Sequence, residues 1–251
     1  MLGIKQDMLN IKYKMDGFEI FNNPQIKDLV SDLRNKITYV FNAASLASGS
    51  SEITTDDDIC ELYIKNKSAW IAAYDSIRLL PQLCNLAGSS VIIDYLRECG
   101  VLQPALSSPN IAVRVDMPAG EGSMPFPSHQ DYPYNRGSNN GIVVWIPLQD
   151  TDEQLGCLQY SPNTHKDGFI KGNTPKTDRL SGVILTDDYV LKSIPMLAGD
   201  ALLFSMFLVH KSGVNSTRGS IRFSVQIRYN DLSDVNFAER GFNPHPKEDY
   251  L

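Results

Sequence analysis

The chain is short of two residue types that usually carry chemistry. It has four histidines and four cysteines in 251 residues. The cysteines (Cys60, Cys84, Cys99 and Cys157) are scattered, with no C-x-x-C pair. In a chain of this size such cysteines read as reduced, buried thiols. Long apolar runs are missing too. No stretch approaches the length of about 18 residues that a membrane-spanning helix needs. Residues 1–14 mix Lys, Asp and Asn with single apolar residues and have no apolar core of a signal peptide. The expected location is therefore cytoplasmic, with no membrane partner. A basic surplus is also lacking: 23 Lys and Arg face 29 Asp and Glu, a net charge of −6. That argues against a nucleic-acid surface, but a local pocket can still take a small anion.

What is present fits one large globular domain. Hydrophobic residues make up 42% and charged residues 21%, ordinary values with ample material for a core. Gly17–Phe21 reads as a short strand ended by Asn22-Asn23-Pro24. Ile26, Leu29, Val30, Leu33, Ile37, Val40 and Phe41 then step by three or four, the stripe of a helix packed on a core. Thr55-Asp56-Asp57-Asp58 before Ile59 suits a capped helix start, and consecutive carboxylates on a helix cannot all face one ion. Ser68–Leu86 and Ser89–Cys99 read as two more helices, the second closed by Gly100.

The pattern changes after Pro109. Ile111–Met117 alternates, and strand-like runs follow at Gly141–Leu148, Cys157–Tyr160, Gly182–Leu185, Ala201–Phe204 and Arg222–Tyr229. Many short strands with turn signals suggest a β-sandwich or barrel. Helices first and strands after argue against a Rossmann-type sheet. The expected organisation is a single domain over 1–251: a mostly helical layer over 1–108, a β core over 109–230 and an irregular tail over 231–251.

Three residues, His129-Gln130-Asp131, draw attention. On an extended backbone, residues i and i+2 point the same way, so an H-x-D at a strand end offers one nitrogen and one oxygen to a common point. A third ligand would complete a facial triad with open positions, the arrangement of non-haem Fe(II) oxygenases. Of the other histidines, His245 lies in a Pro-rich tail and His165 in a turn. His210 ends the apolar segment Ala201–Val209, where an imidazole facing a core needs a partner, and a metal is one. Arg222-Phe223-Ser224 follows twelve residues later. Arg222 and Ser224 share a strand face and can grip one carboxylate. An ordinary cross-strand ion pair is the other reading of Arg222, and Arg228 is an alternative gripping residue.

With these residues in order, the chain resembles the phytanoyl-CoA dioxygenase family of Fe(II)/2-oxoglutarate oxygenases. Asp16-Gly17-Phe18 is similar to its D-G-F, and His129-Gln130-Asp131 to its H-x-D. Val144–Asp150 followed by Gly156-Cys157-Leu158-Gln159 resembles its strand, acidic turn and G-x-L segment. Ser161-Pro162-Asn163-Thr164-His165-Lys166 resembles its P-G-S-H-K turn, with Asn163 in place of the glycine. Gly199-Asp200 to His210-Lys211-Ser212-Gly213, then Asn215, resembles its G-D…H-x-S-G segment. The resemblance runs from about Gly17 to Tyr229.

The resemblance implies a double-stranded β-helix (jelly-roll, cupin-like) core with N-terminal helices packed on it. It implies Fe(II) held by His129, Asp131 and His210, and 2-oxoglutarate held by Arg222, Ser224 and Ser212, with O2 as the oxidant. Related halogenases carry a small residue in place of the carboxylate, so Asp131 favours hydroxylation or a related oxidation. The expected activity is biosynthetic: oxidation of a C–H bond of a small polar metabolite, with release of succinate and CO2. Asp131–Asn140 follows two ligands directly. Its Tyr132, Tyr134 and Arg136, with several amides, suit a polar substrate, anionic or sugar-like, better than a long acyl chain, and Arg114 on an early strand is a further candidate. The alternative is a non-catalytic jelly-roll module that binds a metal or small molecule; it would need no cosubstrate anchor.

Overall fold

The computed structural model describes residues 12–107, 111–120, 125–135, 137–171 and 189–235. The expected strand Gly182–Leu185, the tail with His245, and Arg136 lie outside the described residues. A helical turn over 12–16 (α1) leads into strand β1 (Phe18–Phe21). Helix α2 (Pro24–Ala47) starts where Asn23 accepts a hydrogen bond from the Gln25 N–H and Pro24 occupies the first turn. Its buried stripe includes Ile26, Val30, Leu33, Ile37 and Phe41. Helix α3 (Asp56–Lys65) opens with a reciprocal cap between Thr55 and Asp58. Bonds from Thr54 and Thr55 hold the Asp58 carboxyl down at about 2, so the acidic triplet is a helix start.

The single helix expected over Ser68–Leu86 is two. Helix α4 (Lys67–Ile77) ends and α5 (Pro81–Ala87) begins at Pro81. Proline has no N–H to donate and pushes the preceding residue out of helical geometry; Leu80 is extended, at φ −63 and ψ 129. Helix α6 (Ser90–Glu98) completes the layer.

Two antiparallel sheets form the β part, a jelly roll as expected. The larger runs β1–β7–β4–β9–β2, with β3 also paired to β9. These strands are β2 (Pro104–Leu106), β3 (Ala112–Asp116), β4 (Ile142–Pro147), β7 (Ala201–Ser205) and β9 (Arg222–Asp231). The smaller runs β6–β5–β8, from Lys192–Ile194, Leu158–Tyr160 and His210–Ser212 respectively.

Period-two alternation divides the large sheet into two unlike faces. Ile142, Val144, Ile146, Ala201, Leu203, Phe223, Val225, Ile227 and Tyr229 join the helices in one core. Val143, Trp145, Leu202 and Phe204 form a second cluster with Leu158 and Ile194 of the small sheet. On β9 the residues alternating with that apolar row are Arg222, Ser224, Gln226, Arg228 and Asn230. The interior between the sheets is therefore apolar at one side and polar along β9.

One expectation needs correction. His210 does not end the strand that starts at Ala201. Strand β7 stops at Ser205, whose hydroxyl and carbonyl accept from the N–H groups of Phe207 and Leu208. The chain turns there, and His210 opens β8 in the other sheet. Met206 and Leu208 are apolar because they fill the inner cluster at this corner, which composition alone cannot distinguish from a continuing strand.

Candidate metal centre

His129, Asp131 and His210 come together, all buried, each offering a ligand atom within 4.8 Å of the others. His129 and His210 form an isolated antiparallel bridge, exchanging N–H···O bonds of 3.0 Å in both directions. That bridge puts a residue from the loop before β4 beside the first residue of β8. The extended backbone ends at Asp131, which has φ −80 and ψ −20 and starts the 3-10 turn Tyr132–Tyr134. The carboxylate still converges with the imidazoles: Asp131 Oδ1 lies 3.8 Å from His129 Nε2, and Oδ2 lies 3.8 Å from His210 Nε2.

The protonation states follow from the neighbours. His129 Nδ1 is 2.8 Å from the Pro127 carbonyl, and His210 Nδ1 is 3.0 Å from the Leu208 carbonyl. A carbonyl can only accept, so each Nδ1 carries the hydrogen and each Nε2 presents its lone pair to the centre. Burial, then the His210 charge, pushes His129 down to about 3. Burial also lowers His210. Burial would raise the Asp131 carboxyl, but Arg228, His210 and His129 together hold it at about 2. The cluster is two neutral imidazoles and one carboxylate. His210 Nε2 and Asp131 Oδ2 are buried with no hydrogen-bond partner among the described residues. Two convergent lone-pair atoms left bare in a protein interior are costly. A divalent cation satisfies both, so the donor set fits iron.

Arg222 and Ser224 share the inner face of β9, as expected. Arg222 is 2% exposed, and its Nη2 donates to Asp116 Oδ2 at 2.6 Å. Asp116 stands directly opposite it on β3. The cross-strand ion pair considered from sequence is therefore present. It leaves part of the group unmet: Arg222 Nε and Ser224 Oγ are both buried without partners among the described residues. Asp116 also receives Arg114 through Nη2 at 2.6 Å and Nε at 3.2 Å. Burial opposes ionisation of Asp116, but Arg222 and Arg114 outweigh it and keep its carboxyl below the usual range. Ser212 follows His210 by two on β8 and shares its strand face.

Arg228, the alternative gripping residue, has a different neighbour from Arg222. It reaches Asp131, with Nη2 donating to Oδ1 at 3.0 Å and to Gln226 Oε1 at 3.0 Å. Its Nε is buried and unpartnered among the described residues. The middle residue of the H-x-D is also occupied. Gln130 donates to the Gly168 and Phe207 carbonyls at 2.8 and 2.6 Å and accepts from the Ile170 N–H at 2.8 Å. It ties two loops to the segment that bears the ligands. Sequence reasoning missed Asp116 and Gln130. The signal for Asp116 was its place two residues after Arg114 on an alternating strand.

The expected substrate residues fare differently. Arg114 is held by Asp116. Tyr132 packs on Phe207 and Phe169, with ring centroids 4.4 and 6.0 Å away. It lines a cleft of about 570 Å³ with Lys14, His165 and Phe169, and none of the three clustered residues lines that cleft. Tyr134 lies in the 3-10 turn, its side chain outside the described residues. The loop amides expected at a polar mouth are engaged within the protein. Asn135 donates to the Asp131 carbonyl, Asn140 donates to Asp231, and the Ser138 N–H and hydroxyl both donate to Asn230. They brace the Asp131 loop against the end of β9.

Two turn residues of the resemblance have local reasons. Asn163 sits at φ 65, a left-handed conformation that Asn tolerates best after glycine. Gly17 has φ +77 and lies against the His165 ring, where a Cβ would come within 2.3 Å of Nδ1. His165 thus belongs to the packing of the turn, as read from sequence. Arg218 is exposed in the turn before β9, whereas Arg222 is buried.

Comparison with known proteins agrees with this geometry. The family model of phytanoyl-CoA dioxygenase (PhyH) matches residues 81–224, more than half of the chain. The methylphosphonate hydroxylase of Gimesia maris is 30% identical over 125 residues, covering 49% of this chain and 44% of that protein. The 1-deoxypentalenic acid 11-beta-hydroxylase of Streptomyces exfoliatus is 30% identical over 136 residues, 50% of this chain and 46% of that one. The chain thus matches less than half the length of these curated relatives. Among solved structures, the epimerase SnoN in complex with Fe3+, alpha ketoglutarate and nogalamycin RO superposes with a TM-score of 0.59 at 16% identity. That alignment covers 91% of this chain and 84% of that one, and it shows a shared fold. No helix among the described residues is long and apolar enough to cross a membrane. The chain belongs to the phytanoyl-CoA dioxygenase family.

Proposed function

We propose that this chain is an Fe(II)- and 2-oxoglutarate-dependent dioxygenase that hydroxylates, or otherwise oxidises, a C–H bond of a small polar metabolite. One observation carries the reading. Among the described residues, five buried polar atoms on the polar side of the interior have no hydrogen-bond partner: His210 Nε2, Asp131 Oδ2, Arg222 Nε, Ser224 Oγ and Arg228 Nε. The first two are acceptors and call for a cation. The others can donate and call for an anion. Iron together with a dicarboxylate meets both demands, whereas a simple metal-binding module would leave Arg222 and Ser224 unsatisfied.

In this reading His129, Asp131 and His210 hold the iron. Arg222 and Ser224, with Ser212 on the facing strand, hold the distal carboxylate of 2-oxoglutarate. The bound iron supplies O2 activation coupled to conversion of the cosubstrate to succinate and CO2. The protein supplies position. The two backbone carbonyls orient the imidazoles. Arg228 holds one oxygen of Asp131 and leaves the other to the metal. Val143, Trp145, Leu202 and Phe204 line the opposite side with apolar surface that excludes water. None of the four cysteines is in a disulfide, and all but the exposed Cys84 are buried, which suits the reducing cytosol proposed as its location.

The test is an anaerobic titration of the full chain with Fe(II) and then 2-oxoglutarate. A weak visible band should develop and should be absent in His210→Ala. No band, together with no succinate from any candidate substrate, would sink the reading.

A further inference from the structure

We infer that the substrate is an anion and that Arg228 receives its acidic group. This rests on the metal and cosubstrate reading above. The argument is one of charge. Two described ion-paired groups lie along this polar side, Asp116 with Arg114 and Arg222, and Asp131 with Arg228, beside two histidines that the backbone carbonyls hold as neutral donors. Asp116 bridges Arg114 and Arg222, a group of net single positive charge. One distal carboxylate brings that group to zero.

The second group is Asp131 with Arg228, 3.0 Å apart. Alone the pair is neutral. Asp131 as a metal ligand turns its charge to the ion. A divalent ion, Asp131 and the chelating carboxylate of the cosubstrate then sum to zero. Arg228 still bonds Asp131 Oδ1, but it shares that carboxylate with the ion, and its charge is the one left uncompensated among these described groups. Its side chain is 19% exposed, its Nε is buried and bare, and its nearest other partner, Gln226, is neutral. A largely desolvated guanidinium in that state is unfavourable unless an anion meets it, and its planar donor set matches a carboxylate or phosphonate.

Position supports the same assignment. Arg222 and Arg228 lie six residues apart on one face of β9, about 20 Å along the strand. Arg222 stands at the anchor end and Arg228 at the ligand Asp131. A group bound by Arg228 is therefore next to the metal but away from the distal carboxylate. This places an acidic substrate with its reacting carbon close to its charged end or folded back beside it.

The experiment uses the full chain, loaded anaerobically with Fe(II) and 2-oxoglutarate. Its visible band is titrated with small carboxylic acids, their matched amides, and methylphosphonate. The acids and methylphosphonate should shift the band at concentrations about 10-fold or more below the amides, as expected for loss of a charge-assisted bond. Arg228→Gln should erase that preference and Arg228→Lys should keep part of it, with acids and amides compared at 2-oxoglutarate concentrations that saturate each variant. Circular dichroism and melting check that both variants fold; if Arg228→Gln does not, the native chain and Arg228→Lys decide. Amides that act as well as acids overturn the inference. So does an Arg228→Gln chain that keeps the preference but loses cosubstrate affinity, because Arg228 then serves 2-oxoglutarate. A band that never forms sinks the metal and cosubstrate reading itself, and the inference with it.

Discussion

The two faces of β9 are made from one ten-residue strand, yet they obey opposite rules. Phe223, Val225, Ile227 and Tyr229 face the helices, and what polarity they carry is satisfied: the Tyr229 hydroxyl donates to the Ala87 carbonyl at 2.7 Å. Phe223 sits 6.4 Å from the Phe41 ring and under the Arg34 guanidinium at 4.2 Å. On the other face, Arg222, Ser224 and Arg228 each keep a buried donor unmet among the described residues. One face is complete without a ligand. The other becomes complete only with one. Stability and binding should therefore separate along this strand.

The strongest way to break that separation is a pair of truncations. Phe223→Ala should cost about 3–5 kcal/mol of stability in urea or thermal melts, the range for an aromatic removed from a packed core. Divalent-metal binding per folded molecule should persist. His210→Ala should do the reverse: metal binding is lost, and the metal-free chain should lose less stability than in Phe223→Ala, about 1–3 kcal/mol, because the ring is packed and its Nδ1 donates to Leu208 while its Nε2 is bare. If His210→Ala unfolds the chain, the two faces are not separable.

Arg222→Gln sharpens the comparison next. It should weaken 2-oxoglutarate binding about 10- to 150-fold, the loss of 1.5–3 kcal/mol of charge-assisted bonding, in the same band titration. Fe(II) affinity should stay nearly constant, because Arg222 touches Asp116 and not the metal ligands.

Acid should expose the same asymmetry. The folded chain holds His129 at about 3, below its ordinary value near 6.5. Between those values the unfolded chain binds the extra proton, so folding loses stability as pH falls. The contribution is full above about 6.5 and declines towards 3. From pH 7 to pH 5 the metal-free chain should lose about 2 kcal/mol from this histidine. His129→Gln should flatten that slope by a similar amount in melts at the two pH values. An unchanged slope would mean that His129 is not buried as a neutral ring.

The smallest effect belongs to the helical layer. Thr55→Ala removes the oxygen that caps the Asp58 N–H and should cost about 1 kcal/mol. Neither metal nor cosubstrate titration should respond.

Much of this was legible in the residues, but unevenly. The stripe of α2, the alternation of β3 and the face that Arg222 and Ser224 share on β9 are local patterns, and they formed as read. Pro81 was also legible, and its break in the Ser68–Leu86 run is a local rule that the apolar periodicity masked. The turn before His210 was not, because Met206 and Leu208 are apolar for a corner as they would be for a strand. The loop amides misled in the other direction. Asn135 and Asn140 have the composition of a polar mouth, and only their contacts show that they brace the loop.

The sequence by itself determined the ingredients: an H-x-D, a third histidine after an apolar run, and an arginine and serine alternating with core residues on one strand. Side-chain period and residue chemistry suffice for that, since both act over a few positions. Tertiary structure decided the pairings. Asp116 and Arg222 are 106 residues apart in the chain, and Asp131 and Arg228 are 97 apart. Nothing local chooses between Arg222 and Arg228 for a given carboxylate. The choice is made by strand register, β3 against β9 and the Asp131 loop against β9, which closes only when both sheets have formed.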